Sequence, residues 1–318
     1  MNLAQQIQQA DSRIKSYIRE TPLEYSHYLS AKTGAQVYLK LENVQHTGSF
    51  KFRGAMSKML SLSEAQRAKG VVAASSGNHG MAASYAAKLL DTAATIFVAS
   101  DAAAAKIERI RQIGGEIELA GDNCVHAEKA ARARAEADGL AYVSPYNDLD
   151  VIAGQGTIGL ELHKQLPQVD AVLVAVGGGG LISGIGGYLK SVRQNIRIIG
   201  CQPENSRVMY ESIRAGRVID YPEQPTLSDG TAGGIEKNSV TLALCQQYVD
   251  GYVLVAEQEI AAAMRLILAH ENWLVEGAAG VAVAGFLRKQ ENFSGKNVVL
   301  ILCGRNIGLE KIRAILAS

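Results

Sequence analysis

Short apolar runs alternate with longer segments whose apolar residues recur every three or four positions, and the alternation continues over nearly the whole chain. The short runs predict strands at 37–42, 70–75, 94–99, 116–120, 141–143, 171–176, 196–201, 251–255 and 297–302. The periodic segments predict helices at 78–90, 104–113, 124–138, 151–165, 181–193, 257–270 and 276–289. Several strands, Ala-Val-Leu-Val-Ala-Val at 171–176 above all, are apolar on both faces. Strands of that kind suit a parallel sheet covered on each side by helices. The pattern defines an α/β architecture with right-handed crossovers. The residues after Met1 begin a polar amphipathic segment, and the alanine run at 102–105 starts a helix. The chain is long for one plain sheet, yet no Pro/Gly/Ser-rich linker and no internal repeat marks a boundary.

Composition narrows the function more than the fold. The 318 residues are 47% hydrophobic and 20% charged, as in an ordinary soluble globular protein. Formal net charge is +1 and no run of five like charges occurs. A nucleic-acid or anionic-membrane partner is therefore disfavoured, and any attraction for an anion must be local. The N-terminus lacks the apolar stretch of a signal peptide, and the longest apolar runs are of strand length, too short to span a membrane. Cys124, Cys201, Cys245 and Cys303 are scattered, without the spacing of a zinc site. The expectation is a cytoplasmic protein with reduced thiols and no metal.

Three stretches carry chemistry. Val176 is followed by Gly177, Gly178, Gly179 and Gly180, then Leu181-Ile182-Ser183-Gly184, where a buried strand passes into a helix. Consecutive glycines let the backbone approach a ligand with N–H groups converging, and the helix start adds partial positive charge. That makes a phosphate cradle without a lysine or arginine. A dinucleotide fingerprint fails because its third glycine falls on Ser183, and no Gly-Lys-Ser/Thr follows to make a Walker loop. In His46-Thr47-Gly48-Ser49-Phe50-Lys51-Phe52-Arg53, Lys51 sits among aromatic and small residues that could desolvate its amine and yield the neutral nucleophile of imine formation. Ser75-Ser76-Gly77-Asn78-His79-Gly80 offers hydroxyls, an amide and backbone N–H groups at a strand-to-helix junction, suited to a carboxylate or a phenolic oxygen.

Together these stretches resemble the fold-type II family of pyridoxal-phosphate (PLP) enzymes, in its threonine/serine dehydratase and serine racemase branch. The resemblance runs from Thr21-Pro22-Leu23, through Tyr38-Leu39-Lys40-Leu41-Glu42 and Ile152-Ala153-Gly154-Gln155-Gly156-Thr157, to Cys303-Gly304-Arg305-Asn306. It implies two α/β lobes with mostly parallel sheets and PLP in the cleft between them: a small domain over 48–145 inserted in a large PLP-binding domain made of 1–47 and 146–318. It implies that Lys51 holds PLP as a Schiff base and moves protons at Cα, with Phe50 packed on the pyridine ring and Asn78 bonded to its 3′ oxygen. Gly177 to Gly180, with Leu181, would bind the phosphate. Ser75, Ser76 and His79 would lie at the substrate carboxylate, Ser76 matching the racemase acid/base on the face opposite the lysine. Cys303 matches the residue facing the pyridine nitrogen. A neutral partner there leaves the ring a weaker electron sink and favours prompt loss of a β-leaving group.

The implied activity is conversion of a small β-hydroxy-amino acid, of the threonine or serine type, to a 2-oxo acid and ammonia, by a homo-oligomer, a dimer. Serine racemisation, dehydration of a hydroxyectoine-derived amino acid or hydroxyaspartate, and a non-enzymatic nucleotide-binding module are the alternatives. Arg305 stands where the family often has Gly; it either binds a substrate acid group or projects to solvent. Gln202 and Val208 fall where the racemase's cation ligands would be acidic, and Thr231-Ala232-Gly233-Gly234 is unusually rich in small residues. The chain ends one helix after Asn306, so no C-terminal regulatory domain, and no feedback by isoleucine, is expected.

Overall fold

The structure, a computed structural model, describes residues 2–317. Its strands are β1 (Leu23–Tyr25), β2 (Gln36–Lys40), β3 (Val71–Ala74), β4 (Ala94–Val98), β5 (Glu116–Leu119), β6 (Ala141–Tyr142), β7 (Ala171–Ala175), β8 (Arg197–Pro203), β9 (Gly251–Val255) and β10 (Asn297–Ile301). They form a six-stranded sheet in the order β1-β2-β10-β7-β8-β9 and a four-stranded sheet in the order β5-β4-β3-β6. Every pairing is parallel except that of β1 with β2, at an edge of the larger sheet. The α/β class with mostly parallel sheets is therefore observed.

The two-faced apolar strand β7 is buried at every residue, and its register with β10 and β8 places Leu173 opposite Leu300 and Ile199. Each such side chain contributes about 1.5–3 kcal/mol by leaving water. Helices Leu149–Gln165 and Gly180–Val192 cover one face and cross at backbone contact. A Cβ on Gly184 would lie 2.5 Å from the carbonyl oxygen of Ile152 and 2.6 Å from the nitrogen of Gly156. Glycine there permits the close approach that holds the start of the second helix in place.

The structure also departs from the periodicity. Helix Lys51–Ser61, helix Val208–Ala215, helix Val240–Tyr248 and strand β1 were not foreseen. The helix expected to run to residue 270 turns π-helical over Ile267–Glu271 and stops at Asn272, whose φ of 58° is left-handed. The next helix is Gly277–Arg288, with Glu276 as its N-cap residue rather than its first turn. Among the described residues no helix is long and apolar enough to cross a membrane.

Candidate active site

Lys51 is placed by two chain segments that run alongside each other. Residues 47–50 pair with 303–306: Phe50 N–H donates to the Cys303 carbonyl at 3.1 Å, Arg305 N–H to Gly48 at 3.0 Å, and Ser49 and Gly304 form an antiparallel bridge. The turn into this pairing needs left-handed backbone at Thr47 (φ 62°) and Gly48 (φ 77°). For a β-branched residue such as Thr47 that conformation is strained, and Asn306 Nδ2 meets its carbonyl oxygen at 2.7 Å. The pairing sets Lys51 beside Cys303, with its ammonium nitrogen 5.2 Å from the Phe50 ring centre.

Lys51 Nζ donates to the carbonyl oxygen of Pro145 at 2.7 Å. The next residue, Tyr146, lies on the glycine loop: a Cβ on Gly178 would come within 2.4 Å of its ring, and one on Gly180 within 3.0 Å of its carbonyl oxygen. The amine and the loop are thus neighbours of one dipeptide. Gly179 has φ +84° and precedes helix Gly180–Val192, which no side chain caps. Gly177 faces the backbone of Thr231, 3.0 Å from where its Cβ would be. Burial pulls the Lys51 amine down to about 8, against smaller upward pulls from Cys303 and Glu276. Burial likewise holds the Cys303 thiol well above its ordinary value, so the sulfur stays protonated and neutral.

Opposite stands Asn78, at the start of helix Asn78–Leu89. Its Nδ2 donates to both carboxylate oxygens of Glu276, at 2.8 and 3.1 Å, and its Oδ1 accepts from Asn306 Nδ2 at 2.7 Å. Glu276 also accepts from the Asn306 N–H at 3.0 Å. Glu276 is buried and pushed up to about 7 by that burial, against the hydrogen bonds from Asn78 and Asn306. It is the residue that sequence reasoning missed. An acid ahead of a helix reads as an ordinary favourable charge at the helix start, and nothing in the pattern shows its contact with Asn78, 198 residues away in the chain.

Ser75 and Ser76 occupy the turn at the end of β3, and His79 lies in the first turn of the helix that follows. Ser75 Oγ accepts from the Gly77 N–H at 3.0 Å. His79 Nε2 is 2.8 Å from the Val143 carbonyl oxygen, which makes that nitrogen the protonated one. Burial, reinforced by the Lys51 charge, lowers His79 to about 3, so its ring is neutral. Arg305 is exposed and, with Arg109, Thr47 and Asn306, lines a cleft of about 350 Å³. Gln202 is buried and serves the backbone, donating to the Val176 carbonyl at 3.1 Å and accepting from the Tyr210 N–H at 2.8 Å.

These features define a class: an α/β enzyme with a desolvated lysine amine beside an uncapped, glycine-lined helix start. Residues 14–304 match the family of pyridoxal-phosphate-dependent enzymes, and the chain belongs to it. It is 43% identical over 311 residues to the L-threonine ammonia-lyase of Thermotoga maritima, covering 98% of this chain and 77% of that one. The processed threonine deaminase isoform 2 of Solanum lycopersicum superposes with a TM-score of 0.94 at 34% identity, over 99% of this chain and 92% of that one. Maize serine racemase superposes with a TM-score of 0.93 at 30% identity, over 99% and 96%.

The residues fit the cofactor. The loop from 177 to 180 has no room for side chains at Gly178 and Gly179, so only its backbone can face a phosphate. The amine is neutral far more often than that of an ordinary lysine. The Ser49 hydroxyl, two residues before Lys51, is buried without a partner among the described residues.

Proposed function

We propose that the protein is a PLP-dependent ammonia-lyase that dehydrates a small β-hydroxy-amino acid, of the threonine or serine type, to a 2-oxo acid and ammonia. The observation that carries this reading is the depressed Lys51 amine, held on the Pro145 carbonyl next to the glycine loop. When bound, PLP supplies an electron-withdrawing ring that makes the substrate's Cα proton acidic. Lys51 would hold the cofactor and, with its amine free, would be the base that takes the substrate's Cα proton, its ammonium then donating to the Pro145 carbonyl. Gly177 to Gly180 and the Leu181 N–H would bind the phosphate, and Phe50 would pack against the ring. Asn78, whose amide donates to both Glu276 oxygens, would offer that amide to the ring's 3′ oxygen. Cys303 would offer the pyridine nitrogen a neutral thiol, which would favour loss of the hydroxyl over reprotonation. Ser75 and Ser76 hold the substrate carboxylate, with the neutral His79 behind them.

The division into a small domain, 48–145, and a large one, 1–47 with 146–318, belongs to the same proposal. It is supported by the strands: those of the four-stranded sheet all fall between 71 and 142, and those of the other sheet all fall outside that span. Four free thiols support a reducing, cytoplasmic location. A homodimer completes the reading, and light scattering checks it.

The test is release of 2-oxo acid and ammonia from L- and D-serine, threonine, hydroxyaspartate and phenylserine. Borohydride trapping and peptide mapping accompany it. Turnover of L-threonine or L-serine with label on Lys51 is the expected result. Label on Lys40 or Lys190, or no keto acid from any of the panel, overturns it. Serine racemisation is the second reading, favoured by Ser76 at the turn beside Asn78. Chiral chromatography measures it in the same samples.

A further inference from the structure

Behind Lys51, away from the site, four charged side chains are sealed inside the protein. Arg53 is wholly buried and donates from Nε and Nη2 to Glu42, each at 2.8 Å. It donates from Nη1 and Nη2 to Glu161 at 2.6 and 2.9 Å, and from Nη1 to Thr157 Oγ1 at 3.1 Å. Four of the five N–H groups of the guanidinium form two forks, and the fifth goes to Thr157. Lys40 completes the cluster with bonds to Glu161 at 2.5 Å, the Thr21 carbonyl at 2.7 Å and Gln165 at 3.0 Å. Two positive and two negative charges balance, and the two carboxylates outweigh the burial of Arg53, keeping it charged.

The first turn of the same helix is also gripped by its backbone. Gly54 N–H donates to Gln155 Oε1 at 3.2 Å. A Cβ on Gly154 would lie 2.5 Å from the Arg53 carbonyl oxygen and 2.7 Å from Gly54 Cα. Residues two apart on a helix point about 200° from each other, since each residue advances about 100°. Lys51 and Arg53 therefore project from opposite sides of one turn. A rotation that swings Lys51 out of the site must draw Arg53 out of both carboxylates and leave buried charges unpaired, which is strongly unfavourable.

We propose that Arg53, clamped by Glu42 and Glu161, is a positioning residue: it locks the rotation of helix Lys51–Ser61 and so fixes the direction of the Lys51 amine toward the glycine loop. The partners come from β2's following turn and from helix Leu149–Gln165. The lysine is thereby fastened to the six-stranded-sheet side of the cleft, although its helix leads in sequence to the other sheet. Ion pairs of this kind contribute little net stability compared with apolar packing, and their use lies in selecting one arrangement.

This inference rests on Lys51 being the cofactor lysine. Wild-type holoenzyme is therefore trapped and mapped first; label on another lysine ends that reading whatever Arg53 does. With Lys51 labelled, holoenzymes of Arg53→Lys, Glu42→Gln and Glu161→Gln are compared by thermal melting, by circular dichroism in the cofactor's absorption band and by steady-state kinetics well below the melt. Lysine keeps the charge but cannot form two forks. The lock predicts that folded Arg53→Lys loses most of the cofactor's dichroism and about 100-fold in kcat, the scale of a misplacement of about 1 Å, with KM little changed. Loss of the cofactor altogether from a folded variant is the extreme form of that result. Each glutamine variant weakens one fork and gives a smaller loss of the same kind. A lower melting temperature with unchanged dichroism overturns the lock, whether kcat moves or not. Failure of all three variants to fold also overturns it, because the cluster is then a condition of folding and not of the lysine's direction.

Discussion

The two walls of the site are made of different material. The glycine wall presents backbone, is closely backed by Tyr146, Met209 and Cys245, and holds its shape because nothing can be added to it. The rest of the site presents side chains governed by burial: Lys51, held on the Pro145 carbonyl, and Asn78, hydrogen-bonded to Glu276. The first is damaged by adding atoms and the second by removing them. Under the proposed function, anion binding falls to a rigid scaffold that carries no charge to lose, and proton movement to groups whose affinity for protons depends on their surroundings.

The largest effect should come from deletion on the second wall. Lys51→Ala removes attachment and base together, and loss of a base alone costs about 10²–10⁴-fold. Reversible binding of PLP by the other wall should persist in equilibrium dialysis. Next comes addition to the first wall: Gly178→Ala drives a methyl to about 2.4 Å from the Tyr146 ring. Such overpacking costs about 1–3 kcal/mol, and the variant should lose PLP on dialysis while Lys51 stays intact.

A smaller effect sharpens the contrast. Glu276→Gln sets an amide donor or a single weaker acceptor against Asn78, and an unsatisfied buried group costs about 1–3 kcal/mol. The variant should also change the pH dependence of folding of the PLP-free protein. Glu276 holds its proton to about 7 in the folded chain, whereas an unfolded glutamate releases it at about 4.3. Between those values the folded state binds more protons, so wild-type stability falls as pH rises, and Glu276→Gln should lack that part of the slope. Urea melts at several pH values measure it. Smallest is Ser76→Ala, which should abolish any racemisation yet leave elimination from an L-substrate readily measurable, since elimination needs only the Lys51 face.

The glycine-lined helix start and the desolvation of the Lys51 amine were legible from residue order, because both depend on local sequence: a buried strand running into glycines, and an amine among aromatics. The parallel strands β2 to β10 were legible for the same reason. Helix Lys51–Ser61 was not, because it is buried on nearly all sides and two of its buried residues, Arg53 and Ser57, are polar. No apolar stripe remains for periodicity to find. Strand β1 spans only Leu23–Tyr25, too short for an alternating pattern to show. The contacts of Glu276 and Asn306 with Asn78 join positions 198 and 228 residues apart, and only the completed fold brings them together.

The order of strands in the larger sheet bears on how the protein emerges from the ribosome. Strand β2 lies between β1 and β10, and its parallel partner, Asn297–Ile301, is synthesised long after it, later than every strand of the four-stranded sheet. The four-stranded sheet needs nothing beyond residue 142 for its strands. Pairings between distant segments form slowly, and half-made sheets expose edges that invite aggregation. The nascent chain can therefore close its second sheet while the first still lacks a central strand. Until β10 arrives, Lys40 and Glu42 adjoin an unfinished edge, and the distant segment at Asn297–Ile301 decides whether the strand before them finds its place.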